Sequence, residues 1–387
     1  MKRGPAREPR DDNDRMSRDP TIIAAAETPY TRHPAADLRT PALLADAARR
    51  ALDDAGLAPA AIDGLGVASF TLAPDHAIDL AVALGLRVSW LMDAATGGAA
   101  GIDMLQHAVR AVAAGDAENV LLVAGDVFHA GSFAHLVDDY NVATRERLAP
   151  IPFGGPNALF ALLTQRHMQA HGLERSDYGR LVVAQRAWAA GNPGAVYRTP
   201  LSAADYLAAP LVSDPLCLLD CVPVVAGADA LIVSARGGGV RVRALRAAHN
   251  ADGHDGDGLE TGLRGIAARL WDEAGAGAGE IDVVSVYDDY PAMALIQLAD
   301  LGFGEPQAAL AAIETRALPV NTSGGQLSAG QAGAAGGMHG LVEVVEQLRG
   351  RAGERQVAGA RLGVASGYGM VAYRHGACAN AVVLEAA

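Results

Sequence analysis

A short motif recurs at a constant distance in this chain. Asp53-Asp54-Ala55-Gly56, followed by Ile62-Asp63 and a strand-like stretch over 64–70, returns as Asp272-Glu273-Ala274-Gly275, followed by Ile281-Asp282 and a strand over 283–287. Both parts keep one offset, 272 − 53 = 219 and 281 − 62 = 219. An amphipathic helix precedes each copy, with Leu44, Ala48 and Leu52 on one face of the first and Ile266 and Leu270 on one face of the second. Each helix meets an Ala-Gly stop. Further on, Gly97-Gly98-Ala99-Ala100-Gly101 leads into a helix over 102–113 and a strand over 120–124, while a glycine-dense run from Asn321 to Gly337 leads into a helix over 341–348 and a strand over 362–365. Helices alternating with apolar, β-branched strands predict two similar α/β units with largely buried sheets. The expected division is a disordered tail over 1–20, a first half over 21–236 and a second half over 240–387. Gly237-Gly238-Gly239 and the polar 250–258 stretch are joints, and an insertion occupies about 128–215 of the first half.

Composition narrows the function classes. The chain has 387 residues, half of them hydrophobic, enough for two core-forming units. Its net charge of −13 and the absence of a Lys/Arg cluster in its body argue against a nucleic-acid partner. Cys217, Cys221 and Cys378 lack zinc-site spacing and are too few for a disulfide scaffold, so a reducing cytoplasm is expected, and each reads as a small buried hydrophobe. The Arg-, Asp- and Pro-rich N-terminus has no apolar core and is read as neither signal peptide nor anchor; no apolar run reaches the roughly 20 residues of a membrane span. Lys2 is the sole lysine, which removes Schiff-base chemistry.

Two segments carry chemistry. The Asn321–Gly337 run contains Ser323, Gly324, Gly325 and Gly330, and such a loop lets backbone N–H groups approach an oxyanion or a thioester carbonyl. The competing reading is that its small residues serve helix-to-sheet packing. Tyr287-Asp288-Asp289-Tyr290-Pro291 follows a predicted strand, which puts Tyr287 at a strand's C-terminal end, a favoured place for chemistry in α/β sheets. Asp288 or Asp289 is expected to orient it; the alternative is a tyrosine plugging the strand end. Among histidines, His129 has the best loop context, while His339 and His375 read first as surface or helix-facing residues. Asn157, in a glycine-rich turn, gives a weak channel-lining signal. Phe70, Trp90, Phe153 and Phe160 are candidates for a hydrophobic tunnel or for core.

The loop, the Ile62-Asp63-Gly64 turn, Asn192-Pro193-Gly194 with Asp214-Pro215-Leu216, and Ser366-Gly367-Tyr368-Gly369-Met370 together resemble the thiolase superfamily, in particular its sterol-carrier or lipid-transfer-protein branch with the steroid side-chain acyl-CoA aldolases. The resemblance spans Thr21 to Glu385. It implies two βαβαβαββ halves in a five-layer αβαβα arrangement and a homodimer. It also exposes what is missing. Gly98 stands where thiolases carry the acylated cysteine, Gln331 where they carry the histidine of Gly-His-Pro, and Ala365 where they carry the second cysteine. A covalent acyl-enzyme is therefore not expected, nor a metal or a covalently bound cofactor; coenzyme A enters as part of an acyl-CoA substrate. The aldolase relatives imply a (retro-)aldolase acting on a β-hydroxyacyl-CoA, with Tyr287 as acid and base, and Asp288, Tyr290, Gln331 and Tyr368 around it. Gly98, Gly367, the loop glycines and His129 are expected to bind substrate or an oxyanion. The branch also implies a zinc-ribbon/OB-fold acyl-CoA-binding partner. Two alternatives stay open: a non-catalytic acyl-CoA-binding scaffold, and a C-acyltransferase subunit of a specialised-metabolism complex.

Overall fold

The computed structural model describes residues 19–129, 136–137, 144–148, 155–252, 256–372 and 375–387. Residues 1–18 of the expected tail, Phe153 and the side chain of His375 lie outside the described residues. The strands are β1 Thr21–Glu27, β2 Gly64–Ala68, β3 Trp90–Asp93, β4 Asn119–Asp126, β5 Leu211–Ser213, β6 Leu216–Cys217, β7 Gly227–Ser234, β8 Val240–His249, β9 Val283–Ser285, β10 Leu362–Ala372 and β11 His375–Glu385. The helices are α1 Thr40–Ala55, α2 His76–Leu84, α3 Ala100–Ala114, α4 Pro156–His171, α5 Arg175–Ala189, α6 Ala203–Ala208, α7 Gly262–Ala274, α8 Pro291–Asp300, α9 Pro306–Glu314, α10 Gly325–Ala329 and α11 Gly336–Leu348.

The repeat has a physical basis in both copies. Gly56 and Gly275 end α1 and α7 in the left-handed conformation, φ 62° and 61°, and each N–H returns to carbonyls of its helix. The aspartate of each Ile-Asp pair then pins the start of a later strand. Asp63 accepts the N–H groups of Glu118 and Asn119 at 2.8–2.9 Å, and Asp282 those of Arg361 and Leu362 at 2.7 and 2.9 Å.

The strands run in the order β3-β2-β4-β7-β1-β8-β11-β10-β9. Only Thr21 and Ile22 of β1 pair with β8, so two half-sheets meet at a narrow seam. In the first, parallel β3-β2-β4 is completed by antiparallel β7 and β1; in the second, parallel β9-β10 is completed by antiparallel β11 and β8. A lone parallel bridge from Val320 to Val284 stands where β3 stands in the first half.

Three hydrophobic clusters show how the layers stack. Leu44, Leu65, Leu121 and Ile232 belong to the cluster between α1 and the first half-sheet. Ile102, Met104, Met338, Leu341 and Val344, from α3 and α11, fill the space between the half-sheets. Leu263, Leu270, Leu295 and Val383 join α7 and α8 to the outer face of the second. Each fully buried leucine here contributes about 2 kcal/mol. The result is a mixed α/β fold in which α3 and α11 form the central layer. Between β4 and β7 the chain carries α4–α6 and the small β5–β6 sheet.

Three boundaries differ from expectation. The strand at 64–70 stops at Ala68, because Ser69, Phe70 and Thr71 turn to bond Asp126. The strand at 283–287 stops at Ser285, where Asn321 Oδ1 takes the N–H of Val286 at 2.9 Å. The helix expected from 341 begins at Gly336, and the glycine run contains a helical turn of its own, α10.

Candidate active site

The central helices begin beside the ends of β9 and β10, and this is where the predicted residues converge. Tyr287 leaves β9 two residues past its last pair and is 8 % exposed. Gln297, fully buried in α8, donates to the Tyr287 carbonyl at 2.6 Å and to Met293 O at 3.0 Å, and accepts from Ser366 Oγ at 2.8 Å. That bond fixes the tyrosine's backbone. At the far end of the side chain, Gln331 Nε2 donates to the phenol oxygen at 2.9 Å and to Gln326 Oε1 at 3.2 Å. Gln331 is itself held at the backbone: its N–H bonds Pro223 O at 2.9 Å, and its carbonyl accepts from Val225 N at 3.1 Å.

The Tyr287 ring lies on Gly98. A Cβ at position 98 would collide with Cε2 and Cζ of that ring and with the Tyr368 carbonyl. The space a nucleophilic side chain at 98 would need is therefore filled by tyrosine. A Cβ on Gly367 would likewise crowd Asn380 Oδ1 and the Gly98 carbonyl, so at these positions close packing explains the missing side chains.

Asp288 does not reach the phenol through its hydrogen bonds. Its carboxylate accepts from Gln326 N at 2.9 Å, Leu327 N at 3.4 Å and Gln185 Nε2 at 3.0 Å, so it anchors the first turn of α10. Burial pushes its carboxyl up to about 6 against those donors. Asp289 accepts from Tyr290 N at 3.0 Å, and burial with the neighbouring Asp288 charge pushes it up to about 8. The orienting groups on Tyr287 are thus Gln297 and Gln331 in place of the expected aspartates.

The other candidates separate. Tyr290 stacks on Phe160 at 4.2 Å and donates its hydroxyl to Asn157 Oδ1 at 2.7 Å. Burial raises its pKa well above the usual phenol value. Phe160 is thereby core, and Asn157 meets a tyrosine rather than open space. Tyr368 turns its hydroxyl toward the β10–β11 hairpin, where Gly376 N donates to it. His129 is half-buried, with Nε2 3.1 Å from the Leu38 carbonyl. Ser323 and Gly324 are buried in the turn before α10, Gly325 is its buried first residue, and Gly330 follows α10 at φ 116°. Cys217 and Cys378 are buried and Cys221 half-buried, all three unpaired.

Three polar groups hold partners that no sequence motif signalled. Gln297 sits mid-helix without a motif. Asp126, at the end of β4, accepts from Ser69 Oγ, Phe70 N, Thr71 N and Thr71 Oγ1 at 2.7–2.8 Å and from Ala334 N at 2.8 Å. It ties the start of α11 to the first half. His339, for which the sequence allowed a surface or a helix-facing place, is buried in the first turn of α11, with Nδ1 2.5 Å from Glu27 Oε1 and Nε2 2.7 Å from Ser323 Oγ. Among the described residues Glu27, Asp229 and His339 are the group with donor atoms close enough for a metal, within 4.8 Å of one another, but both ring nitrogens already have partners. Tyr287, Asp288, Gln326, Ser366 and His339 border a cavity of about 10 Å³, room for one water.

A family model described as thiolase C-terminal domain-like matches residues 246–380. The chain is 32 % identical over 369 residues to a 17-hydroxy-3-oxo-4-pregnene-20-carboxyl-CoA lyase of Mycobacterium tuberculosis, covering 87 % of this chain and 92 % of that one. It is 29 % identical over 341 residues to a steroid side-chain-cleaving aldolase of Thermomonospora curvata, covering 80 % and 85 %. A solved Ltp2-ChsH2(DUF35) aldolase superposes with a TM-score of 0.78 over 96 % of this chain and 98 % of that one, at 24 % identity.

Proposed function

Because this chain belongs to the thiolase superfamily, in its sterol-carrier-protein-like branch, and is a carbon–carbon lyase of acyl-CoA, we propose that it performs a retro-aldol cleavage of a β-hydroxyacyl-CoA with Tyr287 as acid and base. Tyr287, as phenolate, takes the proton of the β-hydroxyl. The bond between Cα and Cβ breaks, Cβ leaves as a ketone or aldehyde, and the electron pair passes into the thioester enolate. Tyr287 then returns the proton to Cα, giving a shortened acyl-CoA with no net redox change. Backbone N–H groups near Gly98 and Gly367 are the donors this mechanism assigns to the enolate oxygen, because those of the glycine loop at Gly325, Gln326, Leu327 and Gln331 already bond Ser323, Asp288 and Pro223.

The observation that carries this reading is the Tyr287 ring seated on Gly98 with Gln331 bonded to its oxygen. That N–H donor fixes where the phenol oxygen sits. The same ring excludes a nucleophile at 98, which supports chemistry without an acyl-enzyme.

The assembly belongs to the proposal as well. Among the described residues strand β3 ends the sheet, and beside it α2 exposes Ile78 and Val82 one turn apart, Val82 at 74 %, with Leu91 of β3. An apolar edge of this kind supports a homodimer. Leu207, Leu211, Val212 and Leu218, on and next to β5 and β6 in the chain, are also exposed, and they are offered to a zinc-ribbon/OB-fold partner such as the DUF35 subunit named with the solved aldolase. No described helix is long and apolar enough to cross a membrane. The unpaired cysteines support a cytoplasmic setting.

The test is mass spectrometry of products from a panel of β-hydroxyacyl-CoAs, with and without the partner. Release of a ketone or aldehyde with matching shortened acyl-CoA is expected. Tight acyl-CoA binding without turnover in either direction would replace the lyase reading with the scaffold one.

A further inference from the structure

His339 lies where the two halves of the molecule meet behind Tyr287. Its Nδ1 faces Glu27 Oε1 of β1 at 2.5 Å, and its Nε2 faces Ser323 Oγ in the glycine loop at 2.7 Å. Ser323 Oγ in turn accepts Gly325 N at 3.2 Å, and its carbonyl accepts Asn192 Nδ2 at 2.8 Å. The loop so held leads through Gln326 to Gln331 and hence to the phenol oxygen of Tyr287.

We infer that His339 is a positioning residue: a doubly donating imidazolium, braced by Glu27, that clamps Ser323 and thereby sets the glycine loop so that Gln331 meets Tyr287. The catalytic consequence rests on the retro-aldol reading; the clamp itself does not.

The surroundings favour the doubly protonated ring. Glu27 from β1, Asp229 from β7 and Glu343 from α11 all raise the His339 pKa, to about 9, against burial. Asp288 faces it across the small cavity, and Tyr30 lies with its ring centroid 5.6 Å away. Glu343 is neutralised by Arg355 at 2.8 Å, and Tyr30 donates to both Asp229 oxygens at 2.9 Å. Glu27 is therefore the direct counter-charge. Their opposite charges largely cancel at the distance of Tyr287, so the hydrogen-bond geometry and not a bare positive charge is what reaches the site. The sign follows from a raised histidine: the clamp is complete at neutral pH and is lost as pH rises through about 9.

Two substitutions separate the ends of the ring. In His339→Gln the amide nitrogen reaches the Nε2 position and keeps the donor to Ser323; in His339→Asn it reaches the Nδ1 position and keeps only the donor to Glu27. His339→Asn is expected to lose about 100-fold in kcat at nearly constant KM, since small misplacements cost that much. His339→Gln retains most of the activity and lacks the wild-type decline in kcat through pH 9. Hydrogen–deuterium exchange over residues 321–331 is expected to quicken about tenfold in folded His339→Asn and in Ser323→Ala. Unchanged exchange in those variants overturns the clamp, whatever the reaction is. Faster exchange with wild-type kcat overturns the positioning role. If the wild-type protein cleaves no acyl-CoA while exchange still quickens, the clamp stands and the retro-aldol reading falls.

Discussion

The turns that start α3 and α11 are the same backbone device used in opposite ways. Short 3-10 turns at Gly97–Ala99 and Gly333–Ala335 precede the two helices, 333 − 97 = 236 residues apart, each opening on a glycine with φ near 57°. At the first turn Gly98 offers no side chain, and the ring of Tyr287 occupies the space above it. At the second, Ala334 has its N–H held by the carboxylate of Asp126, which comes so close that Gly333 has no room for a Cβ. At one turn the ring from the segment after β9 takes the place of a side chain. Its twin has been closed by a structural carboxylate, and Gln326, Gln331 and His339 flank the closed one. A duplicated fold thus divides its labour: one helix start supplies room, the other rigidity.

Removing the hydroxyl from the emptied side gives the largest effect. Tyr287→Phe keeps the ring on Gly98 and deletes only the acid-base group, so kcat should fall about 10³-fold with little change in acyl-CoA affinity. Full turnover in that variant would end the proposed mechanism. Filling the space instead, by Gly98→Ala, forces the Tyr287 ring aside and should cost about 1–3 kcal/mol as well as most of the activity. Chemical denaturation reads the first and product analysis the second. A variant as stable as the parent would show that the ring is not seated there.

The repeat was legible because its signals are local. Ala-Gly stops and the Ile-Asp pair act within a few residues of themselves, so the offset of 219 survives in Gly56 and Gly275 and in the β2 and β9 starts, 283 − 64 = 219. The place of Tyr287 at a strand end was legible for the same reason. Gln297, Asp126 and His339 were not, since each has at least one partner far off in sequence, 69 residues away for Gln297, 208 for Asp126 and 312 for His339, and a lone buried polar residue leaves no periodic trace. The expectation that Asp288 orients Tyr287 rested on adjacency in sequence. Neighbours leaving a strand point to opposite sides, and Asp288 serves α10 instead.

Opening the closed side tests the twin. Asp126→Asn replaces a five-bond acceptor with an amide whose NH2 must face donors, and a loss of about 2 kcal/mol is expected at neutral pH. Activity should drop less than in Tyr287→Phe, because the α11 start loosens without losing the reacting group. Equal stability by urea titration would mean that the turn does not need closing.

The smallest effect concerns the cost of filling the emptied turn. The segment that delivers Tyr287 also buries Asp288 and Asp289 side by side, with Asp289 pushed up to about 8 by burial and by its neighbour. A carboxyl whose folded pKa lies above its unfolded value of about 3.9 contributes stability that is complete below that value and disappears as pH rises through the folded one. Between about pH 4 and pH 8, therefore, the parent should lose stability that Asp289→Asn does not lose. The amide oxygen can still accept the Tyr290 N–H, so the backbone bond survives the change. Urea midpoints measured across that range should converge on the variant's favour at the alkaline end, by about 1 kcal/mol after relaxation of the buried pair. Parallel curves for parent and variant would show that Asp289 is already charged in the folded protein, and that the tyrosine segment fills the turn without that penalty.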